Sequence, residues 1–182
     1  MTTVAIRSPA FRKSFHALLA AITIAATAFL AGPAANAQIL GNEPSRLVTI
    51  QGGGLQFLDA FAMDRYNLGP QAVTNAFNGG QSQQWLIASG GNGTYTIQQR
   101  SSGMFLDAHE VAAEDYAVVL RPRQTADSTQ LWRIVEYGGG FVTFQQVSSG
   151  RFLEATVDAG RGFRVVTRPQ GSQMQEWRLG SP

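Results

Sequence analysis

Few side chains in this sequence could do chemistry, and those that could keep a regular interval. Three acids stand in one frame, Phe57-Leu58-Asp59-Ala60, Phe105-Leu106-Asp107-Ala108 and Phe152-Leu153-Glu154-Ala155, spaced 48 and then 47 residues apart. An acid at a strand end can cap a turn through its own backbone, or it can accept hydrogen bonds from a ligand. Arg121 and Arg168 recur at equivalent places, with Asn75 at the third. Such arginines can equally pair with acids such as Glu114, Asp115 or Asp158, as surface charges commonly do. His109 lies two residues from Asp107, but a hydrolytic triad also needs a positioned nucleophile. No spacing of acids points to the carboxylate pair of a glycosidase. The chain has no cysteine, which excludes thiol catalysis, thiolate zinc sites and disulfide frameworks. These residues predict no enzyme, no metal site and no cofactor.

The elements that must hold the acids form a threefold repeat. Gln83-Gln84-Trp85, Gln130-Leu131-Trp132 and Gln175-Glu176-Trp177 carry the only three tryptophans, 47 and 45 residues apart. A tryptophan repeated at that beat is expected in the core, with its glutamine in a structural role. Phe57, Phe105, Phe152 and the leucine after each are expected there too. An alternating strand precedes each acid frame, as in Thr94-Tyr95-Thr96-Ile97-Gln98. A β-branched segment follows it, as in Val118-Val119-Leu120 and Val165-Val166-Thr167. Gly90-Gly91-Asn92-Gly93 and Gly138-Gly139-Gly140 supply turn chemistry between units. Each unit thus reads as four strands, over about 44–88, 89–135 and 136–181. Three copies are too few for a propeller. A closed threefold barrel capped by hairpins fits, because closure removes exposed strand edges.

The N-terminus reads separately. Arg7, Arg12 and Lys13 precede an uncharged apolar run over 17–31, and Ala35-Asn36-Ala37 has the small-residue pattern of a signal-peptidase site. Residues 1–37 are therefore expected to be a cleaved export signal, leaving a single domain over 38–182 in the periplasm or outside the cell. The signal takes three basic residues with it. What remains is 11 arginines against 12 acids, a net charge of −1. That balance argues against nucleic acid or an anionic membrane surface as the main partner. No membrane span is expected in the mature chain, and a monomer is expected.

The three Gln-x-Trp motifs, each preceded by a Phe-Leu-Asp type frame, resemble the ricin-type β-trefoil lectins and their bacterial carbohydrate-binding relatives. The resemblance covers about residues 44–180. Ser101-Ser102-Gly103-Met104-Phe105-Leu106-Asp107 and Ser148-Ser149-Gly150-Arg151-Phe152-Leu153-Glu154 carry it best. It implies an all-β fold, a β-trefoil of three pseudo-symmetric four-stranded repeats, with up to three shallow sugar pockets. It maps the sugar-binding carboxylate onto Asp59, Asp107 and Glu154. It maps the family's stacking aromatic onto Asn75, Arg121 and Arg168, none of which is a ring. Where the family often has asparagine before Gln-x-Trp, this chain has Ser82, Thr129 and Met174. Tyr116 and Phe163, five residues before the arginines, offer rings from another angle. The resemblance implies non-catalytic, weak, multivalent binding of a carbohydrate or glycoconjugate. The alternative is a protein-binding trefoil, such as an inhibitor of a secreted hydrolase, acting through one irregular loop at 63–70 or 110–116.

Overall fold

The computed structural model describes residues 39–41, 43–60, 70–156 and 163–182, with Tyr137 described by its backbone alone. The expected export segment over 1–37 and nearly all of the 63–70 loop lie outside the described residues. Twelve strands run in chain order: β1 Ser45–Gln51, β2 Gln56–Ala60, β3 Ala72–Ala76 and β4 Gln84–Gly91 in the first unit. The second unit holds β5 Thr94–Gln99, β6 Phe105–Ala108, β7 Val118–Arg121 and β8 Trp132–Gly138. The third holds β9 Phe141–Gln146, β10 Phe152–Ala155, β11 Val165–Arg168 and β12 Arg178–Gly180. The architecture is an all-β trefoil.

Six strands close a barrel. β1 pairs with β4, β4 with β5, β5 with β8, β8 with β9, and β12 with β1. The last gap closes where the Val142 and Trp177 backbones exchange two hydrogen bonds, of 2.8 and 2.9 Å. Each tryptophan sits at the same place in this ring: Trp85 faces Val48, Trp132 faces Tyr95, and Trp177 faces Val142. All three indoles are fully buried, and each Nε1 donates to the leucine carbonyl of the acid frame in its own unit, Leu58, Leu106 or Leu153. Burial also pushes the ionisation of Tyr95 above the ordinary tyrosine range.

The hairpins β2–β3, β6–β7 and β10–β11 form the cap, and they are tied in a cycle. The carbonyls of Pro70, Tyr116 and Phe163 stand two residues before β3, β7 and β11. They accept from Leu120, Thr167 and Thr74 of the next unit, at 2.7, 3.0 and 2.9 Å. Tyr116 and Phe163 are thus cap-forming residues, held at positive φ (55° and 53°).

Period-2 alternation explains one correction. Leu58, Leu106 and Leu153 point into the barrel and are fully buried. The phenylalanine before each points the other way and is only half-buried, so the core expectation holds for the leucines and not for Phe57, Phe105 and Phe152.

One position breaks the symmetry. Gly52, Gln99 and Gln146 are equivalent: their amides donate to Gln56, Met104 and Arg151 at 2.8, 2.9 and 2.8 Å. Gln99 and Gln146 are buried and hold the carbonyls of Ser82 and Thr129 across the unit boundary. A Cβ at Gly52 would meet the Trp177 ring at 3.0 and 3.2 Å. The Gly52 backbone is extended (φ −94°), so any cost of a side chain there is steric rather than conformational. Gly52→Gln, which makes unit 1 match the others, is expected to lower stability by roughly 1–3 kcal/mol through overpacking. Urea unfolding measures it; an unchanged or higher midpoint would mean that the indole yields freely.

Candidate functional site

The acid of each frame is clamped by the glutamine of its own Gln-x-Trp motif, and two of the three lie under the surface. Asp59 and Asp107 are 3% and 1% exposed, too little for either to face a ligand as it stands. A short 3-10 turn, at Gln81–Gln83, Ser128–Gln130 or Gln173–Gln175, aims the glutamine inward. Gln83 Nε2 donates to Asp59 Oδ2 at 3.2 Å and Gln130 Nε2 to Asp107 Oδ2 at 3.2 Å. Gln175 Nε2 donates to Glu154 Oε2 at 3.0 Å. The second amide hydrogen goes to the carbonyl of Ala76, Pro122 or Pro169 at 2.8–2.9 Å. The amide oxygen accepts from the backbone of Asn78, Gln124 or Gly171 at 2.9–3.1 Å. Each buried glutamine thus uses both amide hydrogens and its oxygen while joining the acid frame, the loop after the third strand and the turn before the tryptophan.

The third-strand positions lie elsewhere on the ladder. Asn75, Arg121 and Arg168 sit opposite Phe57, Phe105 and Phe152, not opposite the acids. Asn75 reaches Asp59 Oδ2 diagonally at 3.2 Å, and the Ala60 amide holds Oδ1 at 2.8 Å. Arg168 turns to the neighbouring unit, bonding the Asp115 carboxylate at 2.7 Å and its carbonyl at 2.9 Å. Arg121 is half-buried. The structure thus joins Asn75 to the first clamp and leaves both arginines outside the other two.

The loop at 110–116 is fastened to the third unit. Beside the Arg168–Asp115 pair, Arg151 lies 3.7 Å from the Tyr116 ring centre. Within the loop His109 Nδ1 meets Glu114 at 3.2 Å. Among the described residues no group of three histidines or acids could hold a metal ion, and no helix is long and apolar enough to cross a membrane.

The third unit opens beside its clamp. Glu154 is half-buried rather than buried. A cleft of about 400 Å³ lies against Gln175, lined also by Thr143, Gln170, Ser172, Gln173 and Glu176. Amides, hydroxyls and one carboxylate offer donors and acceptors in one concave place, chemistry suited to a ligand with many hydroxyls.

Sequence reasoning missed a residue. Phe77 is 57% exposed, and its ring centre lies 4.9 Å from that of Phe57. The resemblance places the aromatic at Asn75 itself; strand alternation, which puts residues 75 and 77 on one side, is the signal that points to Phe77.

Residues 56–121 match the family described as ricin-type β-trefoil lectin domain-like. No curated protein matches the chain. Among solved structures, a designed threefold-symmetric protein, ThreeFoil, superposes with a TM-score of 0.65 at 24% identity, over 75% of this chain and 99% of that one. A Polyporus squamosus lectin gives 0.62 at 19% identity, over 75% of this chain but 49% of its own, so the chain spans about half its length. A chain of the Haemophilus ducreyi cytolethal distending toxin gives 0.60 at 18%, over 80% and 89%. The chain is a β-trefoil similar to the ricin-type lectin-like domains, and the match runs from the acid frame of its first unit to the third strand of its second.

Proposed function

We propose that the protein binds carbohydrate without catalysis, as an exported, rigid body with more than one weak site. The observation that carries this reading is the repeat-3 cleft, where a polar, amide-rich lining adjoins the Gln175–Glu154 clamp. The similarity to ricin-type lectin-like domains supports it, as does the lectin of Polyporus squamosus, whose structure holds a sialylated trisaccharide. The signal-like residues 1–37 support export, and weak sites gain strength when several engage one surface.

The test is a broad glycan array with residues 38–182, followed by titration of the best glycan against a Gln173→Ala/Glu176→Ala variant. Both side chains line the cleft outside the buried core, so the variant is expected to fold normally and to bind about tenfold more weakly, the worth of one or two hydrogen bonds. A folded wild type that binds no glycan overturns the reading and favours a protein partner.

A further inference from the structure

A second cleft, of about 340 Å³, lies where the first strand of the chain meets the last. Gln51, Phe57, Phe77, Arg178 and Leu179 line it, with Thr49 at its base. Phe57 and Phe77 pack at 49° to one another, and more than half of Phe77 remains open to solvent. The threefold repeat shows what this position needs structurally. In unit 2 its equivalent is Arg123, whose guanidinium lies 5.2 Å from the Phe105 ring centre, and in unit 3 it is Gln170. A polar side chain stands at this position in the other two units, over the Phe105 ring in unit 2 and along the open cleft in unit 3, so packing alone does not call for an exposed ring in the first. On the cleft's other edge Arg178 lies over the Phe141 ring at 4.0 Å, which fixes the plane of its donor fork. Gln51 adds an amide that both donates and accepts.

One aromatic face beside a planar set of donors and an amide is complementary to a pyranose, which has a C–H face and a rim of hydroxyls. An acidic peptide or phosphate would use the cation without the ring, and an aliphatic segment would leave the amide and guanidinium unpaired.

We infer that this cleft is a carbohydrate subsite found in unit 1 alone, taking one pyranose of a glycan with its face on Phe77 and its hydroxyl edge toward Gln51 and Arg178. It rests on the carbohydrate-binding reading above but uses none of the clamped acids and none of the repeat-3 cleft. The test follows ¹H–¹⁵N chemical shifts during titration with methyl glycosides of galactose, mannose, N-acetylglucosamine and glucuronic acid. One or more is expected to shift the amides of Gln51, Phe57, Phe77 and Arg178 in the wild type and in Gln173→Ala/Glu176→Ala. Phe77→Gln, carrying the residue of unit 3, is expected to keep the fold and bind at this place roughly tenfold more weakly, whereas Phe77→Tyr retains binding. Glycan binding that leaves these amides unmoved, or shifts of these amides that persist undiminished in Phe77→Gln, overturns the subsite and spares the broader reading. No binding of any glycan by the folded protein overturns both. A Phe77-dependent dimer in sedimentation, with the glycosides ignored, assigns the ring to self-association instead.

Discussion

Trp132→Ala is expected to cost about 3–5 kcal/mol, the usual penalty for emptying a large aromatic site in a packed core. A domain of this size is generally stable by only about 5–15 kcal/mol, so the variant should be largely unfolded near physiological temperature. Two losses combine. The indole is completely buried at the strand pair Tyr95–Trp132, the single register pair that joins β5 to β8. Its Nε1 also donates 3.1 Å to the Leu106 carbonyl, and without it that buried acceptor is orphaned. Trp132→Phe separates these contributions. It keeps much of the ring volume but drops the donor, so a loss of about 2 kcal/mol is expected, from the stranded carbonyl and a small cavity. Because Trp85 and Trp177 donate to Leu58 and Leu153 in the same geometry, the three Trp→Phe variants should fall within about 1 kcal/mol of one another. Urea unfolding at constant slope reads this directly. A Trp132→Phe variant as stable as the wild type would show that the indole hydrogen bond contributes nothing net.

The strands and the barrel were legible because their signals are local or periodic. Alternation marks β1, β5 and β9, and the Gln-x-Trp beat marks the walls they face. Legibility ended where residues distant in sequence meet in the interior. Gln83, Gln130 and Gln175 read correctly as structural, and Asp59 and Asp107 read as open to a ligand or a turn. That the first group holds the second is a contact across 21–24 residues, which no spacing announces. Gln99 and Gln146 carry no motif, yet they are 2% and 0% exposed, because a strand crossing a unit boundary needs donors for the neighbour's carbonyls. The resemblance supplied the trefoil and pointed at the acids. It could not tell that two of the three acids are sealed, since burial is set by the packing around them rather than by the motif.

That sealing gives the clamps a graded cost. Gln83→Leu and Gln130→Leu are each expected to lower stability by about 2–3 kcal/mol, and Gln175→Leu by about 1–2 kcal/mol, following the penalties for stranding buried polar and charged groups. All three variants lose two equivalent backbone bonds, and Gln175→Leu also loses the weak 3.5 Å bond from the Ser172 amide, so a smaller loss there reports the acid that is left behind. Asp107 is 1% exposed and too buried to recruit water, but it keeps the Gln124 side-chain amide, which donates to its Oδ2 at 3.3 Å. Asp59 is as deeply buried and keeps the Asn75 side chain and the Ala60 amide. Glu154 is half-buried and can be hydrated. Removing both partners should recover part of the loss: Gln130→Leu/Asp107→Leu is expected to be more stable than the sum of its single variants by roughly 1–2 kcal/mol, the coupling of a contacting pair. Thermal and urea unfolding of the set decide it. Equal losses in all three units would mean that the carboxylates carry no weight and that the glutamines act only through the backbone. The same reasoning governs any binding study that truncates Asp59 or Asp107. Lost glycan binding in an alanine variant there reports first on the clamp, whereas variants at Gln173, Glu176 and Phe77 leave all three clamps in place and so read the ligand itself.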